Sequence, residues 1–322
     1  MNYDNLLREK ARFSRFCMPP ISLMMLPIVL LAASCLRAQK PAHPEKSTQP
    51  GALEWKQVEE AMGRSGAVQA DGAIKFAMPR KDLKVVVGGI AVKPGLALGS
   101  WAAFKKEQSQ AMLMGDLVLS GDEVAPVMAR LQDGGVEVTA LHNHLLDESP
   151  RVMYMHIGGQ GDAVKLATAL HDALALTKTP GAAPASTAPA EKIGIDVGQI
   201  ERILGHNGKV NGGILQIAVP RSEKILMHGM QVPPSMGVAT GLNFQPTENG
   251  RAAIAGDFVL LAREVNPVIQ ALREHGIGVT GLHSHMLEEQ PRLFFMHFWA
   301  EGDAVKLAQG LRAALDHTNS AR

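Results

Sequence analysis

Three histidines, two carboxylates and an arginine fall within the sixteen residues "LHNHLLDESPRVMYMH", which run from Leu141 to His156. Near the C-terminal end the chain repeats the pattern as "LHSHMLEEQPRLFFMH". Imidazole nitrogens are good ligands for zinc, iron, manganese and nickel, and a neighbouring carboxylate supplies either a further ligand or a base. In an extended strand alternate side chains share a face, which would put His142 and His144 about 7 Å apart along one side. If the hairpin turns through a three-residue loop at 148–150, His156 on the next strand falls opposite His142 on the same face. A one-residue slip would turn it away. The expected metal ligands are therefore His142, His144, His156 and Glu148 in the first copy. His283, His285, His297 and Glu289 are their equivalents in the second.

Glu148 and Glu289 are also the expected general bases, and Arg151 and Arg292 the expected contacts to a ligand carboxylate or phosphate. The alternative for each arginine is an ion pair with Glu148 or Asp147 that fixes the loop. Zinc is the favoured cofactor, with iron or manganese as alternatives. Asp116 and Asp257, each following a glycine, are further carboxylates that would reach a metal only from a regular strand; a turn or bulge is the simpler expectation. Asp162 and Asp303 read as helix caps, and the methionines of "RVMYMH" as core.

The two motifs belong to two copies of one unit. His142 and His283 are 141 residues apart, and the same offset pairs Pro79-Arg80 with Pro220-Arg221 and Gly115-Asp116 with Gly256-Asp257. From His142 to Leu166, 14 of 25 positions are identical between copies. The expected fold class is α+β: two tandem copies of a similar domain, each a mostly antiparallel sheet with helices on one face and a β-α-β-β-α core. "AMLMGDLVLS" reads as a strand, "GDEVAPVMARLQDGG" as a helix capped by Asp122, "VEVTALHNHL" and "RVMYMHI" as paired strands, and "GDAVKLATALHDAL" as a closing helix. "AIKFAM" and "KVVVGGIAV" read as preceding strands.

The expected boundaries are 53–176 and 193–318 for the repeats, with an Ala/Pro/Ser/Thr linker over 177–192 and a polar, Pro-rich tether over 39–52. Residues 1–38 read as an export signal. Basic residues precede the apolar run "FCMPPISLMMLPIVLLAAS", and Cys35 ends a sequence resembling a lipobox, although ordinary cleavage near Ala38 is an equal alternative. Export to the periplasm or attachment as a membrane-anchored lipoprotein is the expected location, with membrane contact only through that signal or lipid. The two cysteines of the chain, Cys17 and Cys35, leave no disulfide framework. With 32 basic and 31 acidic side chains and 4% aromatics, the composition excludes a nucleic-acid-binding surface. A small molecule or an envelope component is the expected partner.

The stretches "GDLVL", "VTALHNHLLDESPRVMYMHI" and "GDAVKLA" resemble the LppY/LpqO family of exported bacterial proteins, many of them lipoproteins, built from a domain of unknown function. The resemblance covers both halves and implies export and a duplicated domain; it implies no activity. Ser284 in place of Asn143 and Trp299-Ala300 in place of Gly158-Gly159 set the second copy apart. His142, His144 and Glu148 also match a fragment of the cupin metal motif, but the next histidine comes too soon. The functions that follow are a metal-binding envelope protein with catalysis as an extension, a non-catalytic binding module, or a structural protein whose histidines tie a hairpin.

Overall fold

The computed structural model describes residues 55–107, 110–181 and 193–321. The expected export signal and tether and most of the expected linker lie outside the described residues. No helix among the described residues is long and apolar enough to cross a membrane.

The first repeat runs α1 (Lys56–Met62), β1 (Ala67–Val68), β2 (Ile74–Pro79), β3 (Val86–Val87), β4 (Ile90–Ala91), α2 (Pro94–Ala97), β5 (Gly99–Glu107), β6 (Gln110–Ser120), α3 (Gly121–Asp133), β7 (Glu137–His142), β8 (Val152–Gly161) and α4 (Ala163–Leu174). The second repeats that order except that a 3-10 turn, Pro234–Met236, stands where the first has α2: α5 (Val197–Leu204), β9 (Lys209–Asn211), β10 (Ile214–Pro220), β11 (Ile225–Met227), β12 (Met230–Val232), β13 (Ala239–Pro246), β14 (Arg251–Leu260), α6 (Ala262–Glu274), β15 (Gly278–His283), β16 (Phe294–Asp303) and α7 (Ala304–Leu315). Each forms a six-stranded sheet, β1-β2-β5-β6-β8-β7 and β9-β10-β13-β14-β16-β15, with every pairing antiparallel. The expected β-α-β-β-α core is found as β6-α3-β7-β8-α4 and again as β14-α6-β15-β16-α7.

Strand alternation sorts side chains to two faces. On β2, Ile74, Phe76 and Met78 join Leu113, Leu117 and Leu119 of β6 and Leu166 and Leu170 of α4 in a core under the helices. The second repeat builds the same core from Leu215, Ile217 and Val219 of β10 with Leu307 and Leu311 of α7. Asp162 and Asp303 cap α4 and α7, accepting from Lys165 N and Lys306 N at 2.9 Å. Helix α3 begins differently from expectation. Its N-cap is Ser120, whose N–H donates to Glu123 at 2.9 Å, and Asp122 lies within the first turn. The Ser-x-x-Glu reciprocity satisfies the helix end better than an aspartate one residue inside it.

Two features join the repeats. The β11–β12 hairpin inserts Ile225, Met227, Met230 and Val232 against Ala103, Met112 and Met114 of the first sheet. Val85, Val87 and Val92 around the β3–β4 hairpin pack on Ile214, Ala253 and Ala255 of the second. Each repeat thus extends an arm over the other's inner face, and each apolar side chain so buried contributes about 1.5–3 kcal/mol. At the β2 end, fully buried Arg80 donates to Glu123 at 2.7 and 3.1 Å, to Asp82 at 2.8 and 3.0 Å and to Val118 O at 2.6 Å. Arg221 repeats this with Glu264, Glu223 and Val259 O. Those are the Pro-Arg pairs that the sequence offset brings into register.

Candidate metal centre

The six duplicated histidines form one cluster on the inner faces. Strand β7 ends at His142, and the nine residues 143–151 leave the sheet before β8 begins. The three-residue turn expected from the sequence is therefore replaced by a long loop. Ser149 pairs with Val86 of the β3–β4 hairpin (N–O 3.0 and 2.9 Å), while His144 O accepts from Thr280 of the other repeat at 2.6 Å. Thr139 donates reciprocally to His285 O at 2.6 Å. The register changes accordingly: His142 lies opposite Tyr154, and His156 lies opposite Ala140 beside a bulge between Val138 and Ala140. All remain on one face because the shift is two residues. His144, beyond the strand end, swings to bring its Nε2 within 3.1 Å of His142 Nε2. Two nitrogens each 2.0–2.1 Å from one tetrahedral zinc are about 3.3 Å apart, so this separation suits a shared ion.

Across the repeats, ring centroids lie 3.5 Å apart for His142 and His283, 3.7 Å for His144 and His297, and 3.6 Å for His156 and His285. Two sets of nitrogens converge, each with its members within 4.8 Å of one another: His142, His144 and His156, and His283, His285 and His297 together with His142. The two sets are thus adjoining halves of one cluster, with His142 common to both. Tyr154 stacks on His144 and Phe295 on His285, at 3.4 and 3.6 Å. The Tyr154 hydroxyl donates to Ala97 O at 2.9 Å.

Burial fixes the protonation of these rings. Desolvation, reinforced by neighbouring imidazoles, pushes His142 down to about 3. His144, His156, His285 and His297 are held well below the ordinary histidine range by the same causes, and His283 is lowered by burial. Neutral imidazole is the form that binds metal. The Nδ1 of His297 faces Gly256 O at 3.3 Å and that of His283 faces Ser284 O at 3.4 Å. Such bonds place the proton on Nδ1 and leave Nε2 a free lone pair. The Nε2 atoms of His156, His283, His285 and His297 are buried without any hydrogen-bond partner among the described residues.

The carboxylates beside the histidines are Asp116 and Asp257. Both lie on regular strand, opposite His156 and His297 respectively, so the turn or bulge expected there is absent. Asp116 Oδ1 is 3.9 Å from His156 Nε2 and its Oδ2 is 4.0 Å from His144 Nε2. Burial, then the Asp257 charge, raise Asp116 well above the carboxylate range; burial raises Asp257 to about 7. The preceding glycines are required by the neighbouring strand, since a Cβ at Gly256 would stand 1.9 Å from Gly241 O. The alternation of Met112, Met114 and Asp116 along β6 was the signal for this face.

Glu148 and Glu289, the expected ligands and bases, have other neighbours and belong to neither converging set. Both are buried in the loop after the His-x-His pair. Glu148 accepts from Asn143 Nδ2 at 3.3 Å and faces Arg151 Nε at 3.8 Å, while Glu289 accepts from Leu293 N at 2.9 Å and Arg292 at 3.2 Å. Arg292 also donates to Met286 O and Leu287 O at 3.0 and 2.8 Å. The long loop folds back on itself, and its acid–arginine pairs close it. Arg151 is largely exposed, and neither arginine lines the cavity described next.

A cavity of about 560 Å³ lies between the inner faces and reaches the cluster through His144, His156, His285 and His297. Lys75, Trp101 and Asp116 form one wall, and Gln216, Asn243 and Asp257 the other.

These features define an α+β tandem-repeat protein in which two sheets enclose a single buried histidine centre. The chain belongs to the family described as Domain of Unknown Function (DUF1259), whose model matches it twice, over residues 56–176 and 198–317. No curated protein matches the chain. Two solved structures give matches. One is a trimeric bacterial microcompartment shell protein, PduB, 11% identical with a TM-score of 0.21, covering 80% of this chain and 95% of that one. The other is EtuB from Clostridium kluyveri, 8% identical with a TM-score of 0.18, covering 78% and 90%. Likeness at that level carries no argument about this chain.

Proposed function

We propose that this chain is an exported, LppY/LpqO-like envelope protein that binds transition metal at one centre formed by both repeats. The observation carrying this reading is the convergence of buried, neutral imidazole nitrogens that have no hydrogen-bond partner. An orphaned buried acceptor costs about 1–3 kcal/mol, and four Nε2 atoms left so in one place support a shared ligand such as a metal ion. His142, His144 and His156 would hold one ion beside Asp116, and His283, His285 and His297 another beside Asp257. An all-nitrogen set with a carboxylate at hand suits zinc, with iron or manganese as alternatives. Bound zinc supplies Lewis acidity and acidifies a coordinated water, which makes hydrolysis of a small molecule the first activity to seek. A hairpin tied only by histidine hydrogen bonds is the weaker reading, because such ties would satisfy these nitrogens.

Elemental analysis of the mature protein, purified without a chelating tag or resin, tests the reading. One to two equivalents of a transition metal are expected, lost together in the His142→Ala/His283→Ala variant. No metal, even after zinc, iron and manganese are added, would sink it.

A further inference from the structure

The two walls of the central cavity are not equivalent, and the difference has a direction. Strand register aligns Trp101 with Asp116 and His156 in the first repeat, and Gly241 with Asp257 and His297 in the second. One row therefore carries an indole where the other carries no side chain. One row away, Lys75 of β2 occupies the place that Gln216 holds on β10, beside Ala103 and Asn243 respectively. The Gln216 amide is satisfied by Gly95 O at 2.9 Å. The Lys75 ammonium lies 4.1 Å from the Trp101 ring centroid and donates to Ser235 O at 3.0 Å, its one hydrogen-bond acceptor among the described residues. Two of its three donors are thus left for the cavity that it lines.

We propose that this cavity is a one-way site for a small oxyanion, a carboxylate or phosphate, held by Lys75 at one end and presented to the histidine centre at the other. The proposal rests on the metal reading for its second contact and for the net positive charge of the cavity. A volume of about 560 Å³ suits a small molecule. The charged groups facing Lys75 are Asp71, Asp116 and Asp257. Asp71 is occupied by Ser235, accepting from its hydroxyl at 2.9 Å. With a dication on each histidine set, the five positive charges of ions and ammonium would exceed the three carboxylates, so the loaded cavity attracts an anion. Because Gln216 and Gly241 break the symmetry, the anion has one preferred orientation.

The test is calorimetric titration of the zinc-loaded full mature chain with malonate and, separately, inorganic phosphate, with metal content read on every sample. The wild type should bind at least one probe. Lys75→Gln should weaken that binding by about tenfold or more, the loss of one charge-assisted hydrogen bond, with metal unchanged, and Lys75→Arg should largely restore it. The better probe separates a carboxylate from a phosphate ligand. Failure of the wild type to bind either probe, or equal affinity in Lys75→Gln, would overturn the proposal. A wild type that takes up no metal but still binds a probe through Lys75 would sustain the anion site and remove the metal reading alone.

Discussion

The buried histidines make the metal-free protein acid-sensitive by an amount that His142 lets us work out. Its imidazole is pushed from 6.5 down to about 3, first by burial and then by His283. In the unfolded chain the same ring takes up a proton below about 6.5. Between those values the unfolded state binds the proton and the folded state does not, so stability is full above 6.5 and falls with pH until about 3. At pH 5 the loss is about 1.5 units at 1.36 kcal/mol each, or about 2 kcal/mol for this one ring. Asp257, raised to about 7, acts with the opposite sign, because the folded state gains a proton that the unfolded chain does not hold until near 3.8. The comparison must cancel that opposing effect. Urea unfolding of chelator-treated wild type and His142→Asn, each at pH 7.5 and pH 5, does so. Wild type should lose about 2 kcal/mol more than the variant over this interval. Equal losses would refute the buried neutral cluster, since an ordinary solvated His142 titrates alike in both states.

Other perturbations follow from single contacts. Arg80→Leu leaves Glu123 buried without its partner and should cost about 3–5 kcal/mol by urea unfolding. Arg221→Leu should do the same in the second repeat. Glu123 is held below its usual range, against the effect of burial, by Arg80 and by the N–H groups of Lys178 and Ser120; its stabilisation is present above about 4.5 and lost as pH falls further, which an acid-unfolding curve of Glu123→Gln should show as reduced sensitivity there. Thr139→Val removes the donor to His285 O between the repeats and should cost about 1–3 kcal/mol, with metal affinity falling because the His285 loop loses its anchor. Cys35→Ala should release the protein from membranes if that cysteine is lipidated, and cell fractionation reads the outcome.

Local pattern announced much of this molecule, and the limits of local pattern explain what it left out. The alternation of Ile74, Phe76 and Met78 and the helical stripe of Val127 and Leu131 are short-range properties, so strands and helices could be read from the chain. The three histidines of each copy were legible as a set because their types recur at fixed spacing. Their geometry was not legible. His144 was placed on a strand, yet its position depends on a bond to Thr280, 136 residues away. Glu148 looked like a ligand because it is near in sequence; Asp116, far in sequence, is near in space because β6 lies beside β8 in the sheet. A duplicated motif leaves open whether each copy forms its own site or both share one. Hairpin arms that cross to the opposite sheet bring the two histidine sets together, and only their apolar faces hint at it.

Bringing two copies into one chain has a chemical consequence that two identical subunits would lack. In a symmetric pair every wall residue occurs twice, so the cavity would carry two lysines and two indoles, or neither. Fused in tandem, the copies keep the histidines and aspartates that the centre needs twice, while Lys75 and Gln216, Trp101 and Gly241, and Tyr154 and Phe295 diverge. The retained pairs are the clustered histidines and the aspartates beside them, while Lys75 and Gln216, Trp101 and Gly241 line the cavity next to them. On the metal reading proposed above, such a division would let a symmetric centre meet a molecule whose two ends differ. Exchanging the walls tests it: Lys75→Gln with Gln216→Lys should keep metal content and return anion affinity from the opposite side of the cavity. Loss of both metal and anion in that exchange would show that the wall residues serve the packing of the centre instead.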